Sequence, residues 1–524
     1  MNFVKKEDRG KIFLYCLLLA TSFLTICSRS SFLYPCNNWD DANSYFSMGK
    51  YMMNGGIIYQ NLYDQKGPYL YLLYGLAYLI SNDSFFGVFL MEIAAITAFL
   101  FAGFRIMCLF CSKKTAFVLL PVLAMGTLSS LSFYWGGAAE EFCIPLMAWS
   151  LYMSLRYFKE EYPKVPGWKM ILLNGIFAGI IMQVKYIMLG FYFAWMAMMA
   201  LMHFTPANIK KSIRNCFVFL GGMVLTMIPW LIYFGIHGAL DDWYQCYIYN
   251  NIFLYSDLSS DGISLYGKIY YLAKILLNLV IDNFSYFVFI VIGMVFFLFR
   301  RKSKWYEKIN VYAMFGFLFL GIYIGGASIF YYSIPLMIFT AIGSGGIGCL
   351  ADWIVEKVLN SRIHDGKEQN LAKDSNIIGN KARIIIMHVI SALSVVFCLV
   401  GAYKLSMNTD YMKVEKEDLF LYHFKDIVQQ EENPTLLNVN MLDAGLYTVA
   451  DVLPSEKYFQ TNGIPLEEMF DEQERYIKEG LTQFVICRFE YPEYMLDKYE
   501  LVAEDSFATD GKSESMYYLF KRKE

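Results

Sequence analysis

The sequence is poor in the residues that build metal and redox sites. Its 524 residues include only five histidines, which are scattered, and its 11 cysteines include a single C-x-x-C pair, Cys108 and Cys111, at the end of an apolar run. Most of these cysteines fall inside apolar runs, where cysteine behaves as a small hydrophobic residue. The pattern therefore indicates no metal site and no cofactor, although carboxylates could still bind a divalent cation.

Charged residues are also scarce, because Asp, Glu, Lys and Arg make up only 17% of the chain. Soluble domains carry roughly a quarter charged and about half apolar residues, whereas this chain is 57% hydrophobic. Residues 404–524 hold 13 Lys and Arg against 25 Asp and Glu, so the remainder of the chain is basic. We expect a basic membrane part, an acidic soluble tail and no nucleic-acid partner.

The first apolar run follows a basic segment. The run Ile12 to Cys27 is preceded by Lys5, Lys6 and Lys11, and signal peptides also place a basic segment before an apolar one. No small-x-small cleavage site follows the run cleanly, so we predict a retained transmembrane helix.

Eleven apolar runs are predicted to cross the membrane, since a helical span needs about 20 mostly apolar residues. The runs are 12–30, 85–110, 115–134, 142–158, 168–184, 186–204, 213–237, 284–299, 309–327, 330–350 and 384–403. Lys and Arg concentrate in alternate loops, which places the N-terminus in the cytoplasm and the tail outside. We therefore predict an all-α polytopic membrane domain over residues 1–403 and an extracytoplasmic domain over residues 404–524.

One apolar segment, Pro68 to Ile80, is too short for a span. Its 13 residues would reach only about 20 Å as a helix, a length that favours an interfacial or re-entrant position. Counting it as a span would also move the basic loops at Lys113 and Arg156 outside. We therefore predict that it lies near the outer interface, within a first outer loop of residues 31–84.

The tail has the pattern of a small α/β domain. The segments "LLNVN", "QFVICRF" and "SMYYLFKRK" resemble strands, and "LEEMFDEQERYIKEG" has helical spacing with Gly480 as its stop. The polar stretch 362–382 is predicted to be a cytoplasmic loop.

The outer loop opens with "NWDDANSYFSMGK", residues 38–50, which predicts a helix that ends at Gly55 and Gly56. One stripe of this helix holds Asp41, Tyr45, Met48 and Met52. Asn38 or Asp40 suits the N-cap, and a carboxylate in the first turn is favoured by the helix dipole. Asp40 and Asp41 are therefore either caps of an interfacial helix or an ionised base at the membrane surface.

Further ionisable groups are predicted on the same side of the membrane. They are Asp64 and Lys66 before the short helix, Glu140 and Glu141 at a helix start, and Lys185 at a turn between spans. Ionisable groups at membrane depth are costly and are functional candidates by default. The alternatives are a snorkelling lysine at 185 and a solvated helix start at 140–141. Glu92, inside a span, is either a paired buried acid or a structural group.

The arrangement of these motifs resembles the GT-C glycosyltransferases, in particular members similar to protein O-mannosyltransferases and aminoarabinose transferases. The resemblance covers about residues 1–350. It rests on the first outer loop with its two juxtamembrane helices, the acid followed four residues later by Tyr45, and Lys66-Gly67-Pro68 in place of Lys-Pro-Pro. The stretch "SIFYYSIPLMIFTAI" is also similar to the start of a late helix in that family. This chain departs from the family in its Asp-Asp pair, in Gly67 and in Glu92.

The resemblance implies a bacterial plasma-membrane enzyme that transfers a sugar, with inversion, from a polyprenyl-phosphate donor to an acceptor hydroxyl. The acceptor would be a glycan, a lipid or a protein. Asp41, with Asp40 as its displaced neighbour, would be the base, and Lys66 and Lys185 would bind the donor phosphate. The substrate-binding residues would be Tyr45, Asp64, Glu140 and Glu141.

Two other functions fit the same composition. A transporter or lipid flippase would need charges near the middle of the bilayer, whereas these are predicted at its outer interface. A non-catalytic protein for polymer assembly would tolerate charge-neutral replacement of Asp41.

Overall fold

The computed structural model describes residues 6–254, 265–364, 375–464, 466–508 and 514–524. Of the predicted cytoplasmic loop at 362–382, residues 365–374 lie outside the described residues.

The described residues of the ranges 6–254, 265–364 and 375–405 form a helical bundle in which every predicted span coincides with a helix. The helices are α1 (Lys6–Cys27), α2 (Asp40–Met53), α3 (Pro68–Tyr78), α4 (Phe86–Met107), α5 (Lys113–Leu128), α6 (Ala139–Glu160), α7 (Trp168–Met182), α8 (Leu189–Leu201), α9 (Ile209–Ile236), α10 (Leu240–Trp243), α11 (Leu265–Asp282), α12 (Phe284–Phe299), α13 (Trp305–Tyr323), α14 (Thr340–His364) and α15 (Ser375–Leu405). A π-helix, Tyr244–Leu254, follows α10, and a 3-10 helix, Phe330–Phe339, leads into α14.

The bundle has the helices of an integral membrane protein. Within the described ranges, five helical segments are long and apolar enough to cross a membrane: Arg9–Cys27, Phe86–Met107, Ile209–Ile236, Phe330–Lys357 and His388–Leu405. Helices α11 and α12 are separated by a short break at which the chain bends by 116°. They would make a sixth span if counted together. Two other apolar helices, Trp168–Met182 and Tyr186–Leu201, have fewer than 18 residues. The count of eleven spans therefore stays a prediction.

Helix α11 is the one long helix of the described bundle that the hydrophobic runs did not predict. Lys268 and Lys274 interrupt its apolar sequence. Its apolar residues are gathered on one face instead of in one run, so a search for long runs passes over it.

The two short helices of the outer loop occur where the sequence predicted them. Helix α2 begins at Asp40 and ends before Gly55, which has a φ of +86°. Helices α2 and α3 cross with their backbones in contact, since a Cβ on Gly49 would lie 2.4 Å from the backbone nitrogen of Gly75. Only glycine permits this approach.

The tail is an α/β domain with one mixed sheet, as predicted. Its elements are α16 (Phe420–Val428), β1 (Leu436–Val439), α17 (Leu446–Val449), α18 (Glu467–Glu479), β2 (Phe484–Arg488), β3 (Tyr499–Ala508) and β4 (Glu514–Arg522). The strand order is β1-β2-β4-β3; β1 and β2 are parallel, and the other pairs are antiparallel. Strand β3 was not predicted, because its acidic sequence lacks a clear alternation. One cluster of buried apolar side chains runs from the bundle through α2 into the sheet.

Candidate active site

Helix α2 carries both acids of the outer loop in its first turn, but neither acid is its N-cap. The N-cap is Trp39, whose side chain makes no capping hydrogen bond and stacks on Trp135 at 5.2 Å between ring centroids. The predicted capping role of Asn38 or Asp40 is therefore wrong. Asn38 is held elsewhere, because its Oδ1 accepts a hydrogen bond of 2.5 Å from Nη1 of Arg29.

Asp41 faces the helical bundle. Its Oδ2 accepts a hydrogen bond of 2.6 Å from the hydroxyl of Tyr331, at the start of the 3-10 helix. Among the described residues, no hydrogen bond reaches Oδ1 of Asp41. The side chain is partly exposed and lies in the first turn of α2. Asp41 is thus a carboxylate with a free oxygen at the edge of the bundle.

A tight backbone contact brings the segments of Lys66 and Lys185 together. A Cβ on Gly67 would lie 1.9 Å from the carbonyl oxygen of Gln183, so only glycine allows this contact. The amide of Gly67 also donates a hydrogen bond of 3.4 Å to the carbonyl of Val184. The glycine that departs from the Lys-Pro-Pro pattern therefore has a structural reason here.

The ammonium group of Lys66 is attracted to acids without being paired. In the part of the chain that the structure describes, its Nζ makes no ion pair and lies 5.8 Å from the ring centroid of Tyr45. Burial alone would lower the pKa of Lys66, but the charges of Asp41 and Asp64 outweigh it, so that the net pKa is raised. Lys66 therefore stays protonated, and its ammonium group has hydrogen-bond donors that a ligand can use.

Lys185 is a buried, paired cation, so the snorkelling alternative is wrong. Its Nζ forms an ion pair with Oε1 of Glu140, and the residue is only 9% exposed. The same Nζ lies 3.7 Å from the ring centroid of Tyr332 and 5.2 Å from that of Tyr331. Lys185 and Asp41 therefore both contact Tyr331.

A cavity of about 250 Å³ lies beside the two lysines. Its polar lining includes Lys66, Lys185, Asn251 and Tyr332, and its apolar lining comes largely from the end of α13 and the residues after it. The cavity thus has a cationic end and an apolar wall.

Glu140 and Glu141 are buried at the start of α6, so the solvated-helix alternative is wrong. Glu140 pairs with Lys185, whereas Oε2 of Glu141 accepts a hydrogen bond of 3.0 Å from the amide of Gly137. Glu92 accepts from the same amide at 2.9 Å and from the hydroxyl of Ser28. Glu92 is therefore a hydrogen-bonded buried acid, and Glu141 lies beside it, away from the lining of the cavity.

Asp64 and Tyr45 are enclosed by protein. Oδ2 of Asp64 accepts a hydrogen bond of 2.7 Å from Tyr71, and Oδ1 accepts one of 3.0 Å from the amide of Asn462. Tyr45 is 1% exposed and packs edge-to-face on Tyr74. The substrate-binding roles of Tyr45, Asp64, Glu140 and Glu141 stay predictions.

Asp40 points away from Asp41 and pairs with the C-terminal domain. Its two carboxylate oxygens accept hydrogen bonds of 2.8 Å from Nη1 and Nη2 of Arg488, the last residue of β2. Burial raises the pKa of the Asp40 carboxyl, and Arg488 offsets part of that rise. No sequence signal pointed to Arg488.

The pair belongs to a polar face of α2 that the sequence analysis missed. This face consists of Asp40, Asn43, Ser44, Ser47 and Lys50. Its partners are Arg488 for Asp40, Thr448 for Asn43, Gln460 for Ser44, Asp443 for Ser47, and Asp451 with the carbonyl of Tyr447 for Lys50. The spacing of three and four residues is helical, so the face was visible as a second stripe beside the one through Asp41.

Residues that could hold a metal ion are few. In the described ranges, no group of three or more His, Cys, Asp or Glu side chains is arranged to bind one. Participation of a divalent cation stays a prediction.

Comparison with known proteins gives a likeness of fold. No protein-family model matches the sequence, and no curated protein matches it. The crystal structure of ArnT from Cupriavidus metallidurans bound to undecaprenyl phosphate is similar, with a TM-score of 0.62, 13% identity and 98% of each chain covered. Its apo structure gives a TM-score of 0.60 at 12% identity, again over 98% of each chain. The chain therefore has the GT-C fold of ArnT, from its first membrane helix to its C-terminal domain.

Proposed function

We propose that this protein is an inverting glycosyltransferase that uses a polyprenyl-phosphate-linked sugar as donor. The sugar would pass to the hydroxyl of a glycan, lipid or protein at the outer face of a bacterial plasma membrane. One observation carries the proposal: Asp41 and Lys185 both contact Tyr331, and Lys185 and Lys66 line one cavity with an apolar wall.

The transfer is a single displacement. The acceptor oxygen attacks the anomeric carbon of the donor while its proton passes to Oδ1 of Asp41. The bond between the anomeric carbon and the phosphate oxygen breaks, and its electron pair leaves on the phosphate. A positioned base contributes about 10²–10⁴ in rate to such a step. Because the attack comes from the side opposite the leaving group, the anomeric configuration inverts.

The two lysines stabilise the leaving phosphate. Lys66 has free donors and can bind directly, and Lys185 can share its charge between Glu140 and the phosphate. Positive charge at the place where negative charge develops lowers the barrier. The apolar wall of the cavity suits the first isoprene units of the lipid. The similar ArnT structure, which is bound to undecaprenyl phosphate, supports this class of ligand.

The experiment is transfer by the purified protein in lipid nanodiscs. The donor is chosen as the lipid-linked sugar that accumulates in cells lacking this protein. We expect release of polyprenyl phosphate together with a glycosylated acceptor of inverted anomeric configuration, measured by NMR. Retained configuration would contradict the mechanism. Movement of the donor across a vesicle membrane without cleavage would favour a flippase, and neither reaction would favour an assembly protein.

A further inference from the structure

The polar face of α2 gives the C-terminal domain a part in the proposed reaction. We propose, on the basis of the function above, that Arg488 is a positioning residue, which holds Asp40 so that Asp41 alone is left to accept the acceptor proton. The C-terminal domain is then a working part of the active site.

Arg488 is well placed to fix the first turn of α2. It ends β2, a strand hydrogen-bonded on both sides, to β1 and to β4. Its guanidinium lies 5.2 Å from the ring centroid of Tyr517, its cross-strand partner on β4. The planar fork then meets both oxygens of Asp40 at 2.8 Å, the bidentate geometry that gives the most directional ion pair.

The neighbouring acids explain why such a partner is needed. Successive side chains on a helix point about 100° apart, so Asp40 and Asp41 face different surroundings but remain close. Neighbouring carboxylates oppose each other's ionisation, and the charge of Asp41 raises the pKa of Asp40. The charged and titratable groups that face Asp40 are Arg488, Asp41, Asp443 and Tyr517. Arg488 is the only cation among these four, so it alone compensates the charge of Asp40.

Arg488 is one of several attachments of the domain to α2. The polar face has four further contacts, at Asn43, Ser44, Ser47 and Lys50, which span the rest of α2. A merely structural Arg488 would duplicate what these contacts already do. Its distinct effect is at the first turn, where the proposed base lies.

The first test is Arg488→Gln, which removes the charge and keeps a hydrogen-bond donor. Without the cation, burial and the neighbouring charge of Asp41 raise the pKa of Asp40 further, and the two carboxyls compete for one negative charge. We expect the acid limb of the transfer profile to move upward by about one pH unit. Turnover should fall by about 10- to 100-fold, the size of a small misplacement of a catalytic group. Binding of the polyprenyl-phosphate donor should be unchanged, because Arg488 does not line the cavity.

The decisive test is the double variant Arg488→Gln with Asp40→Asn. Removing the unpaired acid leaves Asp41 as a single carboxyl, so the acid limb should return towards the wild-type position. Turnover should recover to within about tenfold of Asp40→Asn alone, a margin that allows for the lost positioning. A structural role predicts the opposite, since the double variant lacks both halves of the contact. No recovery would overturn the proposal.

Matched variants separate the outcomes. Arg475→Gln removes an arginine from an exposed ion pair on α18 and should leave the profile unchanged. If Arg488→Gln does not fold, the double variant decides: a folded, active double variant supports charge compensation, and an unfolded one overturns it. Wild-type turnover and an unmoved acid limb in Arg488→Gln also overturn the proposal. These results leave the proposed function intact, because the transfer assay and Asp41→Asn test that function separately.

Discussion

The two faces of helix α2 meet the rest of the molecule with different chemistry. On the face towards the C-terminal domain, every polar side chain from Asp40 to Lys50 has a partner on that domain. On the face towards the helical bundle, Asp41 keeps one oxygen without a hydrogen bond among the described residues. Nearby, Lys66 has no ion pair in the same described ranges, and a cavity of about 250 Å³ lies beside it.

The difference distinguishes polar groups that are paired within the protein from polar groups that are available to a substrate. Buried polar groups are nearly always hydrogen-bonded in native proteins, because an unpaired group costs the full desolvation penalty. On the face towards the C-terminal domain, every polar side chain of α2 makes such a bond with protein atoms. On the face towards the bundle, a carboxylate oxygen of Asp41 and the ammonium group of Lys66 have no such partner among the described residues. A bound substrate can supply the missing hydrogen bonds.

The largest effect on transfer should follow from replacing Asp41, on the face of α2 towards the helical bundle. Asp41→Asn is nearly isosteric, and its amide oxygen can still accept the hydrogen bond of Tyr331. It cannot take the acceptor proton, so we expect transfer to fall by about 10²–10⁴. Donor binding, measured separately with the purified protein, should stay near the wild-type value. Transfer close to wild type would show that Asp41 is not the base.

The next largest effect, a loss of donor binding, is expected from replacing the two lysines, and the two replacements should differ in their effect on stability. Lys66→Met removes a free cation and should weaken donor binding by about 10- to 100-fold, the value of a charge-assisted hydrogen bond. The free energy of unfolding should hardly change, because no described group loses an ion-pair partner. Donor affinity and thermal unfolding, measured on the same preparation, test both statements.

Lys185→Met should differ, because it leaves the buried carboxylate of Glu140 without its partner. Breaking a buried ion pair costs about 3–5 kcal/mol of stability, in addition to any loss of donor affinity. The control is Lys185→Met with Glu140→Gln, which removes the orphan charge. Stability should return in this double variant, while donor affinity should not. Equal stability of Lys66→Met and Lys185→Met would contradict the assignment of the buried pair.

A smaller, pH-dependent effect on stability is expected at Asp443, the partner of Ser47 on the polar face of α2. Burial raises the pKa of Asp443 to about 6, although Ser47 and the amide of Gly445 stabilise its charge. The folded state therefore binds the proton more tightly than the unfolded state, and stability falls as the pH rises from about 4 to 6. Asp443→Asn should remove this dependence and raise the free energy of unfolding at pH 7.5 by up to about 3 kcal/mol. Thermal unfolding at pH 5 and pH 7.5 measures it, with the exposed Asp410→Asn as control.

Much of this arrangement could be predicted because its signals are local. The apolar runs, the two short helices after the first run, and the strands and helix of the tail follow from hydrophobic periodicity and glycine stops. The resemblance to the GT-C glycosyltransferases also named Asp41, Lys66 and Lys185 as site residues; Lys66 and Lys185 line one cavity, and the roles of all three stay predictions. These residues lie within short segments whose pattern does not depend on distant parts of the chain.

The missed features depend on contacts between distant segments. Arg488 lies 448 residues from Asp40, and Tyr331 lies 290 residues from Asp41. Neither position has a sequence signal beyond its own strand or helix start, since the pairing is created by the packing of domains. The assignment of Asp40 as a cap failed for the same reason, because the distant Arg488 binds both of its carboxylate oxygens. Asn38 is held by a nearer partner, Arg29.

The smallest effect on transfer should come from Asp40→Asn, which tests whether the two faces have separate roles. The amide still offers one oxygen to Arg488, and the remaining contacts of the polar face keep the domain attached. Because the side chain points about 100° away from Asp41, it should not reach the acceptor proton. We expect a loss of transfer of about tenfold or less, from imperfect positioning alone. If Asp40→Asn instead abolishes transfer while Asp41→Asn retains it, the roles of the two acids are exchanged and the base belongs to the face that binds the C-terminal domain.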